Sequence, residues 1–320
     1  MADEFSLISR YFSACGIAGE DTLLGVGDDC ALLTPAAGEV LAVTTDTLLA
    51  DVHFPRNSPA RYIAQRALAV NLSDIAAVGA TPRWFQLALT TPTADPSWLS
   101  EFSAGLNAMA NQFNCTLVGG DTTRGPLTIT ITLMGTVPPD KALKRSGANP
   151  GDSIFVSGSL GDGAGGLASI EGRLSAARED AVYLEEHFWQ PKPRISEGLE
   201  IRTFASAAID ISDGLLADLG HIAKASQVGA LLELDKLPLS RALQRAASVQ
   251  QGRAWALAGG DDYALCFTVP ADRVAHCQRL IDGGLLEATS IGVIEEGAGV
   301  RCVDEDGQTV EVECSGYKHF

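Results

Sequence analysis

Leu127-Thr128-Ile129-Thr130-Ile131-Thr132-Leu133 alternates apolar and hydroxylated side chains without a break. A period of two marks a β-strand with one face in a core, and its threonine face is left for solvent or a partner subunit. Upstream of it the pattern predicts a short buried strand at Cys115–Val118, a helix over Pro96–Phe113 and a strand over Trp84–Thr90. A long apolar run predicts a helix from Pro59 to about Val78, with proline suited to its first turn and Gly79 to its end. A strand near Val40–Thr45 and a helix near Phe5–Ala14 complete this half. After Val137 the pattern breaks at Pro138-Pro139 and Asn149-Pro150-Gly151.

Beyond Asp152 strands and helices alternate again, with strands near Ser153–Ser157, Ala207–Ile211, Ala230–Leu234 and Cys266–Val269. No short repeat of fixed period occurs, which argues against solenoids and propellers. The expectation is two domains of α/β type (α+β mixed sheets), residues 1–147 and 148–320, in keeping with a chain of 320 residues.

A formal net charge of −17 argues against nucleic acid and anionic membranes as partners, and no apolar run approaches a membrane span. The acidic opening Met1-Ala2-Asp3-Glu4-Phe5 differs from a basic leader, so the expected compartment is cytoplasmic. The seven cysteines include no Cys-x-x-Cys pair, and so support neither a disulfide framework nor a zinc site.

Chemistry is carried by aspartates set beside glycine, serine or threonine: Gly27-Asp28-Asp29, Thr44-Thr45-Asp46-Thr47, Asn71-Leu72-Ser73-Asp74, Gly119-Gly120-Asp121-Thr122, Asp210-Ile211-Ser212-Asp213-Gly214 and Gly259-Gly260-Asp261-Asp262. One such aspartate is ordinarily a turn residue bonding its own backbone. Six together point to Mg²⁺, which takes oxygen ligands at about 2.1 Å. Each is expected at a strand end or loop mouth, with Asp46 closing its strand and Asp74 in mid-helix, where a carboxylate needs a partner. The threonine hydroxyls beside Asp46 are candidate neutral ligands.

The first lysine is Lys141 and no phosphate loop ending in Gly-Lys-Ser/Thr exists. Cations must therefore neutralise a nucleotide's phosphates, and at least two are expected. Gly158–Gly166 after a strand is either a backbone N–H cradle for phosphate or a glycine-relieved turn. His53 stands in a loop after the Asp46 strand, and Arg145 near the domain junction offers a fork suited to phosphate.

Taken in order, Gly25-Val26-Gly27-Asp28-Asp29-Cys30-Ala31, Thr44–Thr47, Ala69–Asp74, Gly119–Thr123 and Asp210–Leu215 resemble the thiamine-monophosphate kinase family. The resemblance implies the two-domain aminoimidazole ribonucleotide synthetase-like fold, dimeric through its N-terminal domain, with the active site in a cleft between domains. It implies transfer of the ATP γ-phosphoryl group to thiamine monophosphate.

Matched by motif, Asp29, Thr44, Thr45, Asp46, Asp74, Asp121, Asp210 and Asp213 correspond to Mg²⁺-binding positions. Gly120, Asp121, Arg145 and Ser212 correspond to ATP-binding positions, and His53, Asp261 and Cys314 to substrate-binding positions. No residue is implied as a catalytic acid, base or nucleophile. The family's Gly-Gly-Glu-Asp-Tyr-Glu reads Gly259-Gly260-Asp261-Asp262-Tyr263-Ala264 here, and Cys314 replaces an aromatic.

Two other readings compete. Another ATP-dependent synthetase of the same superfamily would act on a different small acceptor. A selenophosphate synthetase would carry a reactive Cys and Lys near its start, whereas Cys15 has no lysine companion. A structural Ca²⁺ protein would gather its ligands within about 12 residues.

Overall fold

The computed structural model describes residues 4–17 and 19–312. It divides into two compact units: one holds the chain through Ile75 together with Ala80–Asp140, the other Ala76–Gly79 and the chain from Lys141 onward. The division falls within the irregular stretch after Val137, ahead of residue 147.

The first unit runs α1 (Glu4–Tyr11), β1 (Thr22–Leu24), β2 (Leu32–Leu33), β3 (Val40–Leu49), α2 (Ala60–Val78), β4 (Thr81–Thr91), α3 (Pro96–Gln112), β5 (Thr116–Arg124) and β6 (Thr128–Val137). β1 and β2 form a small antiparallel hairpin. The other four strands form one sheet in the order β3-β6-β4-β5, with only β4 and β5 parallel. Ile129, Ile131 and Leu133 are buried together with Phe85, Leu87 and Leu89 of β4. The alternation at Leu127–Leu133 thus chose its core face as a period of two requires.

α2 covers that face, with Ile75 against Gly135 of β6. It also crosses α3 so closely that a Cβ on Gly105 would lie 2.3 Å from the Arg61 carbonyl oxygen. Asp95 caps α3, its side chain accepting from the Ser97 N–H at 2.9 Å. The opposite sheet face is open: Leu41 and Val43 are 47% and 59% exposed, beside threonine pairs Thr45–Thr132 and Thr47–Thr130 joined at 2.9 and 2.8 Å.

The second unit runs β7 (Ser153–Ser157), α4 (Asp162–Ile170), α5 (Arg178–Trp189), α6 (Ile195–Ile201), β8 (Ala207–Ile211), α7 (Leu215–Ser226) and β9 (Gly229–Glu233). A 3-10 turn at Leu234–Lys236 leads into α8 (Arg241–Ala246), α9 (Val249–Ala258), β10 (Ala264–Val269), α10 (Val274–Asp282), β11 (Ala288–Glu295), β12 (Gly299–Val303) and β13 (Thr309–Val310). Its seven strands form a mixed sheet in the order β13-β12-β9-β11-β7-β10-β8, parallel only between β12 and β9.

The sheet is covered on both faces. Ala264 and Cys266 of β10 join the core that includes α7 and α9, while Leu265, Phe267 and Val269 join the core that includes α6, α10 and the last turn of α2. This explains why β10 reads as a continuous apolar run.

Two strands extend beyond their expected ends. β3 continues past Thr45 to Leu49, because Leu48 carries the alternation onward into the core. β5 continues past Val118 to Arg124. Asp46 and Asp121 therefore lie within strands, not at their mouths.

Candidate functional site

In the first unit, β3 alternates between two environments. Thr44 and Asp46 occupy the row that faces α2, and the Thr44 hydroxyl donates to Asp74 Oδ2 on that helix. This is the partner that a mid-helix carboxylate required. Asp46 is half-buried and its carboxyl is pushed up to about 6, first by burial and then by the charge on Asp74. Two carboxylates crowded without a cation are the oxygen-rich, electrostatically uncompensated pair that a divalent ion relieves.

Thr45 stands in the opposite row, its hydroxyl paired with Thr132. Of the two candidate hydroxyls, Thr44 therefore shares the Asp46 face, since neighbours in a strand point to opposite faces. Asp29 is exposed in a turn, its N–H held by Asp28 Oδ1 at 2.8 Å, so Asp28 acts as an ordinary turn aspartate.

Gly120 and Asp121 lie on β5, the other edge of the sheet. Gly120 has φ +145°, and a Cβ there would approach the Leu87 carbonyl oxygen to 1.8 Å, so only glycine lets β5 stay paired with β4. Asp46 registers with Ile131, Ile131 with Leu87, and Leu87 with Gly120. Three strand spacings of about 4.8 Å put Asp46 and Asp121 on the order of 14 Å apart through the backbone. That is beyond the reach of two aspartates on one ion. Among the described residues no three His, Cys, Asp or Glu side chains form a metal-holding group.

His53 follows β3 in a turn, its N–H donating to the Leu49 carbonyl and its Nδ1 accepting from the Leu49 N–H at 3.0 Å. The neutral ring therefore carries its proton on Nε2.

In the second unit, Asp210 is buried near the end of β8, and Ser212, Asp213 and Gly214 form the turn into α7. The neighbouring loop is stapled to that turn: the Asp261 N–H donates to Ser212 O at 2.9 Å and the Tyr263 N–H to Ile211 O at 2.8 Å. Gly260, Asp261 and Tyr263 all take positive φ, at 67°, 63° and 48°, the strained backbone that clusters at functional sites. Tyr263 Oη also donates to Asp261 Oδ1 at 3.1 Å.

The structure thus gathers Asp210, Ser212, Asp213 and Asp261 at one end of β8. Arg145 is exposed and anchored at the strand's other end, where Lys144 O accepts from the Ala208 N–H. Cys314 lies outside the described residues.

Family models for the AIR synthase related protein match both parts of the chain, the N-terminal domain over residues 27–137 and the C-terminal domain over 149–305. The thiamine-monophosphate kinase of Escherichia coli strain K12 is 47% identical over 318 residues, 99% of this chain and 98% of that enzyme. This chain belongs to the thiamine-monophosphate kinase family. The solved kinase of Stenotrophomonas maltophilia superposes with a TM-score of 0.85 at 48% identity, covering 91% of this chain and 93% of that one. A structure of AaThiL complexed with AMPPCP and TMP superposes with a TM-score of 0.78 at 33% identity, covering 90% and 89%.

Two functional features of this family member escape a reading of the sequence. Asp262, grouped there with the ligand candidates, is half-buried and accepts from the N–H groups of Gly161 and Gly163 at 2.8 and 3.2 Å. Burial drives its carboxyl well above the usual carboxylate range. The N–H groups that a phosphate would have used at Gly158–Gly166 are thus filled from within, and the loop is a glycine-relieved turn. Asp218, the second feature, is a buried acceptor beneath the Ser212–Gly214 turn. On α7 it shares the buried stripe of Leu215, Leu219 and Ile222, and its partners are backbone N–H groups four to six residues earlier in the chain.

Proposed function

We propose that the chain transfers the γ-phosphoryl group of ATP to thiamine monophosphate, releasing ADP and thiamine diphosphate. The observation that carries this is the end-to-end identity with the Escherichia coli enzyme. The AaThiL complex, in which an ATP analogue and TMP are bound together, supports it.

Oxygen donors fit hard divalent cations in both units: Thr44, Asp46 and Asp74 with Asp29, Thr45 and Asp121 in one, Asp210 and Asp213 in the other. Mg²⁺ bound there would neutralise phosphate charge and polarise the γ-phosphoryl group. The separation of Asp46 from Asp121 supports more than one ion. Gly120, Asp121, Arg145 and Ser212 bind ATP in this reading, and Arg145 and Ser212, at opposite ends of β8, suit an elongated ligand. His53 offers its Nε2–H to the acceptor phosphate, while Asp261 and Cys314 hold the thiamine side.

An oxygen of the acceptor's phosphate attacks the γ-phosphorus in line as the bond to the β-phosphate oxygen breaks. The acceptor is already anionic, so the transfer is direct and needs no general base, and positioning with charge neutralisation carries the rate. The open threonine face of β3 and β6, with Leu41 and Val43 exposed, supports a homodimer formed through the N-terminal unit. Among the described residues no helix is long and apolar enough to cross a membrane. The described cysteines are all free, in keeping with a reducing cytoplasm.

The test is ADP release with thiamine monophosphate, thiamine and aminoimidazole ribonucleotide precursors in parallel, with Mg²⁺. Turnover confined to thiamine monophosphate is expected; preference for another acceptor would replace this reading by that of a different synthetase. Phosphoprotein formed with ATP alone would refute direct transfer.

A further inference from the structure

The turn between β8 and α7 points three successive backbone N–H groups, those of Ser212, Asp213 and Gly214, at a single atom. That atom is Asp218 Oδ2, at 3.1, 3.1 and 3.2 Å, on a side chain only 3% exposed. Consecutive N–H groups at a helix start commonly receive a phosphate. Here a carboxylate one turn into α7 occupies that position, so these amides are committed before any ligand arrives.

The same turn is fixed from its other side. The carbonyls of Ile211 and Ser212 accept from Tyr263 and Asp261, and a Cβ on Gly260 would lie 2.6 Å from Ser212 O. The conformation of Ser212–Gly214 therefore depends on one buried acceptor and on the 260–263 loop. Displacing the turn moves Ser212, Asp213 and Asp261 together.

From this geometry we infer that Asp218 is a positioning residue for phosphoryl transfer, holding Ser212 and Asp213 in the arrangement that receives the nucleotide and its cation, and Asp261 with them. The inference rests on the kinase reading above. A group held about 1 Å out of place costs a large share of rate, whereas a purely structural helix-start carboxylate would affect melting alone.

The experiment compares the full-length wild type with Asp218→Ala, which removes the acceptor, and Asp218→Asn, which keeps one neutral oxygen. Ser248→Ala serves as control, since Ser248 caps α9 by accepting from the Gln251 N–H at 3.1 Å and belongs to no part of the site. AMPPCP affinity with Mg²⁺ is measured by calorimetry, alongside kcat, KM for ATP and for thiamine monophosphate, and melting temperature.

AMPPCP affinity should fall at least about tenfold in Asp218→Ala and about threefold to fivefold in Asp218→Asn, the scale of lost hydrogen bonds to a charged acceptor. Ser248→Ala should melt earlier with nucleotide affinity unchanged. Wild-type affinity in either Asp218 variant would overturn the proposal. If Asp218→Ala does not fold, Asp218→Asn decides by the same criterion. A wild type that binds AMPPCP but does not phosphorylate thiamine monophosphate would instead overturn the reading of the reaction.

Discussion

Replacing Asp46 by asparagine should make the protein more stable in the absence of divalent cation while it destroys turnover. The Asp46 carboxyl rises from an ordinary 3.8 to about 6, and each such unit corresponds to about 1.4 kcal/mol of preference for the neutral form. The ionised side chain at pH 8 then costs the fold roughly 3 kcal/mol at most, and about 1–3 kcal/mol once solvent screening of a half-buried group is allowed for.

Because the folded-state value is the raised one, the native state is favoured by this group below pH 4. That advantage is lost as pH rises through about 6. Asp46→Asn removes the dependence. In EDTA at pH 8 it should melt higher than wild type, on the order of 3 °C per kcal/mol, and the difference should vanish near pH 4.

Saturating Mg²⁺ with AMPPCP should reverse the order, since only the wild type keeps the full ligand set. Thermal melts in the two buffers, with ADP release as the activity assay, check this. An Asp46→Asn protein that melts below wild type in EDTA at pH 8 would refute the view that Asp46 and Asp74 are held together against their mutual repulsion.

Three further outcomes are expected. Gly120→Ala places a methyl group against the Leu87 carbonyl and should destabilise the N-terminal unit by several kcal/mol, read by urea unfolding. Val43→Lys adds charge to the open face of β3 and should yield monomers by sedimentation, with the melting of the monomer scarcely altered. Among the described cysteines Cys30 is exposed, whereas burial pushes the Cys15 and Cys115 thiols up to about 12. Cys30→Ser should therefore remove one equivalent of fast-reacting thiol under native conditions.

Much of the architecture was legible because patterning and packing agree. The Leu127–Leu133 alternation chose its buried face correctly, and the long apolar run flanked by Pro59 and Gly79 is α2. The failures have local physical causes. Gly119-Gly120 reads as a strand break, yet the missing Cβ at Gly120 is what permits β5 to remain paired. β11, β12 and β13 are punctuated by glycines and charges, and went unread. The family motifs named the aspartates, but their faces and rows come only from strand register, which is why Thr45 and Thr44 part company. Asp218 was missed because an aspartate in a helix's first turn is ordinarily solvated, whereas three N–H groups of the preceding turn hold this one.

The hydroxyl pairs that join β3 to β6 act as alignment keys. Were β3 to slide by one residue, every side chain on it would change sides, sending Asp46 out to the face of Leu41 and Val43 and sinking a neighbour beside Asp74. A single-residue deletion in this ribbon would break the Thr44–Asp74 contact and rearrange the open face in one stroke. Substitutions at Thr45, Thr47, Thr130 and Thr132 should therefore be judged by how faithfully the chain finds its frame during folding, as well as by the catalysis that remains.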